Sequence, residues 1–194
     1  NPRLFNIVAK PALVVHVGEV AVIKANAGPR FTQPEGHEVE VINGVPLVPK
    51  NFQGIWNEAL LPGAYNMDPD AYQVVTVQVT KRVFTYQDEK WAIKVRSKDG
   101  FTFPVDVRVS VEVSAADAPK LVAILANPDV LEKDLQEGEL LSRLESKVVL
   151  PLIRTSFRDV AQRMNALQFV EERSEVEKQA STLMRTELAK YFLR

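Results

Sequence analysis

Few residues in this chain are able to do chemistry, and those few are badly placed to cooperate. There are two histidines, His16 and His37, far apart and without the short i, i+4 or similar spacing that brings imidazoles onto one metal. His16 falls in a strand-like stretch and His37 in a loop, so neither is expected to be a catalytic base or a ligand. Asp68 and Asp70 flank Pro69, a pattern that reads as turn chemistry rather than an acid/base pair. With no cysteine, disulfides, thiolate metal sites and cysteine nucleophiles are excluded. Neither a Gly-x-Ser-x-Gly elbow nor a Gly-x-x-x-x-Gly-Lys phosphate loop occurs. Lys81-Arg82 is a pair and not a basic tract. With 24 basic against 25 acidic residues, the chain offers no electrostatic footprint for nucleic acid. The reading is therefore that there are no catalytic residues, no cofactor-binding residues, no cofactors and no metal, and that the protein is not an enzyme.

The elements that would position any site are clearer. From Phe101 to Val113 nearly every odd residue is apolar and every even one polar, Pro104 excepted, which predicts a strand with one face on a core and one in water. Trp91, Ile93 and Val95 carry the same parity, and Asp99-Gly100 between the two runs suits a tight hairpin turn. Trp91 reads as a core or cross-strand aromatic. Pro104 cannot donate to a ladder, so it belongs at an edge or a bulge.

Upstream, Leu13, Val15 and Val17 alternate into Gly18-Glu19, followed by Val20-Ala21-Val22-Ile23; this predicts a first hairpin over residues 4–25 with a type II′ turn. Most prolines and glycines fall in residues 28–73, which read as loops and short strands. Asn43-Gly44 signals a hairpin there, and Pro62-Gly63 has the residues of a type II turn. Val75, Val77 and Val79 then resume a regular strand.

After Val113 the period becomes helical. Asp117 and Pro119 open a helix with Leu121, Val122, Ile124 and Leu125 on its buried stripe, and Asn127-Pro128 stops it. A second helix begins near Gly138-Glu139 and must kink or restart at Pro151. Its apolar residues from 140 to 153 read as core rather than as a lipid pocket. Asn165 and Gln168 resemble a capping box, opening a third helix predicted to run unbroken to Arg194, roughly 40 Å at 1.5 Å per residue. The fold class is α+β, an antiparallel-rich sheet with hairpins followed by helices, with a β-rich part over 1–114 and a helical part over 115–194.

In order and spacing these features resemble the stomatin/prohibitin/flotillin superfamily, the SPFH or band 7 domain. The resemblance rests on Gly18-Glu19-Val20-Ala21-Val22-Ile23 and on the run from Gly54-Ile55-Trp56-Asn57-Glu58 to Pro62-Gly63-Ala64-Tyr65. It continues through Lys98-Asp99-Gly100 with the alternating strand after it, Leu150-Pro151-Leu152-Ile153-Arg154, Phe157-Arg158-Asp159-Val160, and Glu172-Arg173. It covers nearly all of residues 1–194 and looks most like prokaryotic members. It implies a non-enzymatic, membrane-associated scaffold that homo-oligomerises and organises membrane lipids, microdomains or partner proteins such as membrane proteases. The alternative is a regulatory or binding module for a membrane protease or channel that does not assemble. The amino-terminal anchor and the long coiled coil usual in the family are not in this sequence, so both are expected outside it. The apolar stretch from Leu4 to Val17 reads as core strands in preference to membrane contact, since Lys10 and Pro11 interrupt it; under the membrane reading Phe5 and its apolar neighbours would dip into the bilayer interface.

Strand parity makes the first prediction. Val107 and Val109 should be buried with Asp106 and Arg108 outside, so Val109→Asp, which buries an unpartnered charge, should lower the thermal unfolding midpoint. An unchanged midpoint would refute the parity assignment.

Overall fold

Leu13–Val15 (β1) and Glu19–Ala25 (β2) are joined by a tight turn, yet they do not form a hairpin. The computed structural model describes residues 9–32, 39–87, 92–125 and 137–194, and within them β1 pairs with Gly63–Tyr65 (β6) instead, Leu13 opposite Tyr65 and Val15 opposite Gly63. The Glu19 N–H donates to the His16 carbonyl at 3.2 Å, and Gly18, third in that turn, has φ +90°. Positive φ at the third position is type II geometry, not the type II′ that closes a hairpin. The strands therefore splay, and β1 crosses to another partner. A Cβ on Gly18 would also lie 2.9 Å from the Thr80 side chain.

Strand β2 lies between β5 and β7 in a five-stranded mixed sheet ordered β3-β4-β5-β2-β7. Val41–Ile42 (β3) and Val45–Val48 (β4) form the hairpin expected from Asn43-Gly44, whose φ values of 50° and 79° give a type I′ turn. Gly54–Trp56 (β5) runs parallel to β4 and antiparallel to β2. Tyr72–Gln78 (β7) pairs with all of β2, from Glu19 opposite Gln78 to Ala25 opposite Tyr72. Pro62-Gly63 is not a type II turn: Gly63 is extended in β6, where its backbone pairs with Val15.

A strand the sequence reading passed over, Arg82–Tyr86 (β8), shows the same alternation, with Phe84 and Tyr86 buried and Val83 and Thr85 exposed. It corrects the picture of 101–113 as one strand. Ile93–Arg96 (β9) and Thr102–Val105 (β10) form the predicted hairpin, but the ladder breaks at Asp106, and Val107–Val111 (β11) pairs with β8. Parity survives the change of partner: Val107, Val111 and Val113 are buried while Asp106, Arg108 and Ser110 are exposed. Val109 is only half-buried, so Val107 is where a charge would meet the full core. Pro104, opposite Lys94, lies on a strand whose other side is unpaired, the edge position its missing donor requires. The turn is one residue longer than Asp-Gly alone. Ser97 and Phe101 bond across Lys98-Asp99-Gly100 with only Gly100 at positive φ, 92°, as in a three-residue hairpin loop. Trp91 lies outside the described residues, as do Leu4, Phe5, His37 and Asn127-Pro128.

Helix Ala118–Leu125 (α1) is started by Ser114, whose hydroxyl accepts the Asp117 N–H at 3.2 Å and donates to the Asp117 carboxylate at 2.6 Å. It buries Leu121, Val122 and Leu125 as expected, with Ala123 taking the place of Ile124, which is half-buried. Glu137–Leu144 (α2) runs through a π-helical turn, Glu145–Val149, into Leu150–Ala161 (α3). That turn is how the chain accommodates Pro151. Proline has no N–H and its ring collides with the carbonyl four residues back; widening the preceding turn, with Leu150 N–H donating to the Glu145 carbonyl, removes the conflict without ending the helix. The turn is tied to the sheet by the Tyr86 hydroxyl, which donates to Glu145 at 3.1 Å. Burial, then the adjacent Glu145 carboxylate, raise the Tyr86 pKa, so the phenol stays protonated.

The last helix is two helices and it does end. Ala166–Glu171 (α4) opens with the capping box, the Gln168 side chain accepting the Asn165 N–H at 3.1 Å. A break at Glu172 (φ −96°, ψ 35°) precedes Arg173–Ala189 (α5). At the far end Phe192 adopts φ 60°, Leu193 N–H donates to the Leu188 carbonyl and Phe192 N–H to that of Ala189. This is a Schellman stop made with phenylalanine where glycine is usual. It turns the chain back onto the sheet, where Leu193 bridges Val113 and Arg194 exchanges two 2.9 Å backbone hydrogen bonds with Glu112. The expectation of an open-ended helix fails because the stop signal is conformational, not a Gly or Pro.

One large core cluster draws Val20, Val22, Val77 and Val95 from the sheets together with Leu121, Val149, Ile153, Val160 and Ala180 from the helices. A second, smaller one, with Val15, Ala21, Ile23, Val48, Trp56 and Leu60, lies on the other face of β2. The hairpin turn is pinned to the helices: Lys98 N–H donates to the Met164 carbonyl at 3.0 Å and Ala166 N–H to the Asp99 carboxylate at 3.1 Å.

Two predictions follow from these junctions. Holding φ 60° costs a side-chain-bearing residue about 1–2 kcal/mol, so Phe192→Gly should stay within about 1 kcal/mol of the native stability in urea unfolding, the lost ring offsetting the relieved strain. Phe192→Val, which tolerates positive φ least, should lose about 1–2 kcal/mol; equal effects would show that the stop does not depend on this conformation. For Asp99, hydrogen bonds from Ser97 and then from the Ala166 N–H hold the carboxyl below its ordinary pKa against its partial desolvation. A depressed folded-state pKa means that the contribution is complete above about pH 4 and is lost as pH falls through the folded value. The stability gap between native protein and Asp99→Ala should therefore narrow between pH 6 and pH 3; a constant gap would remove the carboxylate from the account.

Candidate functional site

The titratable residues singled out by sequence do not converge. His16 is exposed, one residue past β1 rather than within it. Asp68 and Asp70 form the expected turn, with the Asp70 N–H donating to Asp68 at 3.1 Å. The structure adds a partner that sequence spacing could not show: Lys10 reaches both carboxylates, Asp68 at 3.2 Å and Asp70 closer still. That backbone N–H, then Lys10, lower the Asp68 pKa, while Asp70 and then Asp68 raise that of Lys10. The trio is exposed and internally neutralised to one residual charge. Among the described residues no three His, Cys, Asp or Glu side chains are grouped so as to hold a metal, and no helix is long and apolar enough to cross a membrane.

Two concave surfaces are better developed than any such cluster. One is an open groove of about 1130 Å³ between β10–β11 and the helices α4 and α5. Phe103, Val105 and Val109 line its sheet side, Phe169, Val176 and Leu188 its helix side, and Phe103 meets Phe169 edge to face at 5.2 Å between ring centroids. Its rim carries both signs, with Arg108, Arg173 and Arg185 against Asp106 and Glu177. Arg173 pairs with Glu177 at 2.9 Å. Close by on α4, Leu167 and Val170 are 68 % and 69 % exposed.

The other is a smaller cavity, about 280 Å³, where the ends of β7 and β11 meet α1, α2 and Leu193. Leu140, Leu141 and Leu144 of the stripe read as core line it. They are packed with the main core and also face a space. Arg82, read from sequence only as half of a basic pair, lines the same cavity, and its Nε is buried without a hydrogen-bond partner. Its place at the start of β8, opposite Val111, is a consequence of strand pairing that no local signal announced.

No curated protein sequence matches the chain. The family model described as SPFH domain / Band 7 family matches residues 13–194, which takes in every described strand and helix from β1 to α5. Such domains are in general membrane-associated and non-enzymatic. With the α+β order of sheets and then helices agreeing with it, the chain belongs to the SPFH domain / Band 7 family.

Proposed function

We propose that this domain is a non-enzymatic membrane-associated scaffold that homo-oligomerises and organises membrane microdomains or partner membrane proteins. The observation that carries the reading is the groove between β10–β11 and α5. It is open along its length, apolar at its base and charged with both signs at its rim, and it adjoins two nearly bare aliphatic side chains on α4. Burying those aliphatics against a neighbour would contribute about 1.5–3 kcal/mol each. The rim pairs set register and reject wrong partners more than they add affinity. Repeated around a ring or cage of copies, such modest contacts sum to a stable assembly. Nothing in this surface resembles a set of converging acid, base and nucleophile.

Membrane attachment in this reading comes from elsewhere in the protein, since the charges of the domain nearly balance and give little attraction to anionic lipid. Light scattering on the intact protein in detergent should find a large homo-oligomer. Leu167→Glu with Val170→Glu, both at exposed positions, should lower the assembled mass without lowering the melting temperature. A monomeric intact protein would overturn the scaffold reading in favour of a regulatory module for a membrane protease or channel. Full assembly of the double variant would move the contact away from α4.

A further inference from the structure

The hairpin of β3 and β4 carries at its tip two groups that can react with each other and that nothing else engages. Asn43 and Gly44 are both exposed, at φ 50° and 79°. Among the described residues neither the Asn43 side-chain amide nor the Gly44 N–H has a hydrogen-bond partner, and a Cβ at Gly44 would meet nothing within 4 Å. The other described asparagines are placed differently. At Asn51 the next N–H, that of Phe52, donates to the Pro49 carbonyl at 3.3 Å. At Asn165 the side chain is engaged in the capping box, and the next N–H, that of Ala166, donates to Asp99 at 3.1 Å. Asn26, Asn57 and Asn66 precede Ala27, Glu58 and Met67, whose side chains crowd the backbone nitrogen, whereas glycine leaves it bare.

We propose that Asn43 is a site of spontaneous deamidation, a covalent modification that lengthens the backbone inside the two-residue turn. The Gly44 nitrogen, its proton taken by hydroxide, attacks Cγ of Asn43. The new C–N bond closes a five-membered imide as the Cγ–Nδ2 bond breaks, and Nδ2 takes up a proton and leaves as ammonia. Water then opens the imide. Cleavage on the Cγ side leaves an ordinary aspartate; cleavage on the α-carbonyl side leaves isoaspartate, with the chain running through Cβ and Cγ. Overall the amide becomes a carboxylate, with one water consumed and one ammonia released. Ring closure requires the peptide plane between Asn43 and Gly44 to rotate out of the turn, so the hairpin tip must open. β3 permits this, because it has two residues and is the outermost strand of its sheet, and short exposed ends open at the lowest free energies. The two-residue type I′ loop fixes the register of the strands it joins, and the extra backbone carbon of isoaspartate removes that loop type. On β4, Leu47 and Val48 are buried in the two different core clusters. Ahead of β3, the Glu40 carbonyl accepts the Leu47 N–H at 2.9 Å and the Glu40 carboxylate pairs with Lys120 of α1 at 2.9 Å. The modification therefore loosens this sheet edge from α1.

The site is complete within one chain, so it is independent of the scaffold reading, and a failed assembly experiment leaves it intact. The test is to age the intact protein in warm, mildly alkaline buffer, with and without urea. Ammonia release, mass spectrometry of the peptides and enzymatic methylation of isoaspartate follow the reaction. Native protein should release one ammonia per chain, with isoaspartate in excess over aspartate at position 43 and the peptides of Asn51 and Asn165 unchanged. Urea should speed the release, because the tip no longer has to open. Aged protein should melt below fresh protein. Asn43→Asp, which supplies the charge without the extra backbone carbon, should release no ammonia from this site and keep the native midpoint. A native chain that stays unmodified while the urea-unfolded chain reacts would overturn the proposal, since the folded turn would then protect Asn43. Modification falling first on Asn51 or Asn165 would overturn it as well, and isoaspartate at position 43 with an unchanged midpoint would overturn the effect on the sheet edge.

Discussion

Strand β2 is buried on both faces, and the rest of the domain is arranged to satisfy it. Val20 and Val22 point into the core shared with α1 and the later helices, while Ala21, Ile23 and Ala25 point into the smaller core with Trp56 and Leu60. Each of the larger side chains contributes about 1.5–3 kcal/mol through burial, and each would lose it if the register slipped. Burying both faces also removes water from the backbone, so every N–H and C=O must be paired. That is met by β7 along the whole length of β2, by β5 at its end, and by Leu60, which exchanges hydrogen bonds of 2.9 and 2.7 Å with Ala21. With both of its edges taken, β2 has no place for β1. The crossing of β1 to β6 follows from that competition.

A second set of constraints fixes the helices to the sheets through a few polar junctions. The Tyr86–Glu145 hydrogen bond places the π-helical turn against β8. Asp99 accepts the Ala166 N–H and so sets the hairpin turn against the start of α4. Phe192 turns the chain so that Arg194 pairs with Glu112, while Lys120 of α1 lies 5.0 Å from the Phe192 ring and also pairs with Glu40 at 2.9 Å. These junctions hold α1, α2 and Leu193 around the end of β11. The cavity with Arg82 is the volume left between them, and the groove lies further along β10–β11.

Chemistry is distributed accordingly. Lys10 pairs with Asp68 and Asp70 on the surface, leaving one net negative charge. Arg82 is drawn toward the interior by its strand register, opposite Val111. The family to which the chain belongs is in general membrane-associated and non-enzymatic.

The sequence alone determined whatever depends on neighbours within a few residues. Alternation from Ile93 to Val113 assigned the buried face, because strand side chains change side at every residue. Asn43-Gly44 signalled a hairpin, because such a pair tolerates the positive φ of a tight turn, and the structure closes it as type I′. Asn165 and Gln168 specified a helix start, because the two side chains reach the free donors of one turn, and Pro151 required a distortion, which the structure supplies as a π-helical turn. Which strands pair was decided only by the tertiary structure. The runs at β1 and β2 fit a hairpin locally, and the alternating stretch from 101 to 113 fits one strand, yet with the edges of β2 taken β1 pairs with β6, and β10 pairs with β9 while β11 pairs with β8. The end of α5 belongs with these. Phe192 carries no local stop signal, and its left-handed conformation is held by Leu193 in the core and by the backbone of Glu112, contacts that exist only once sheet and helix have met.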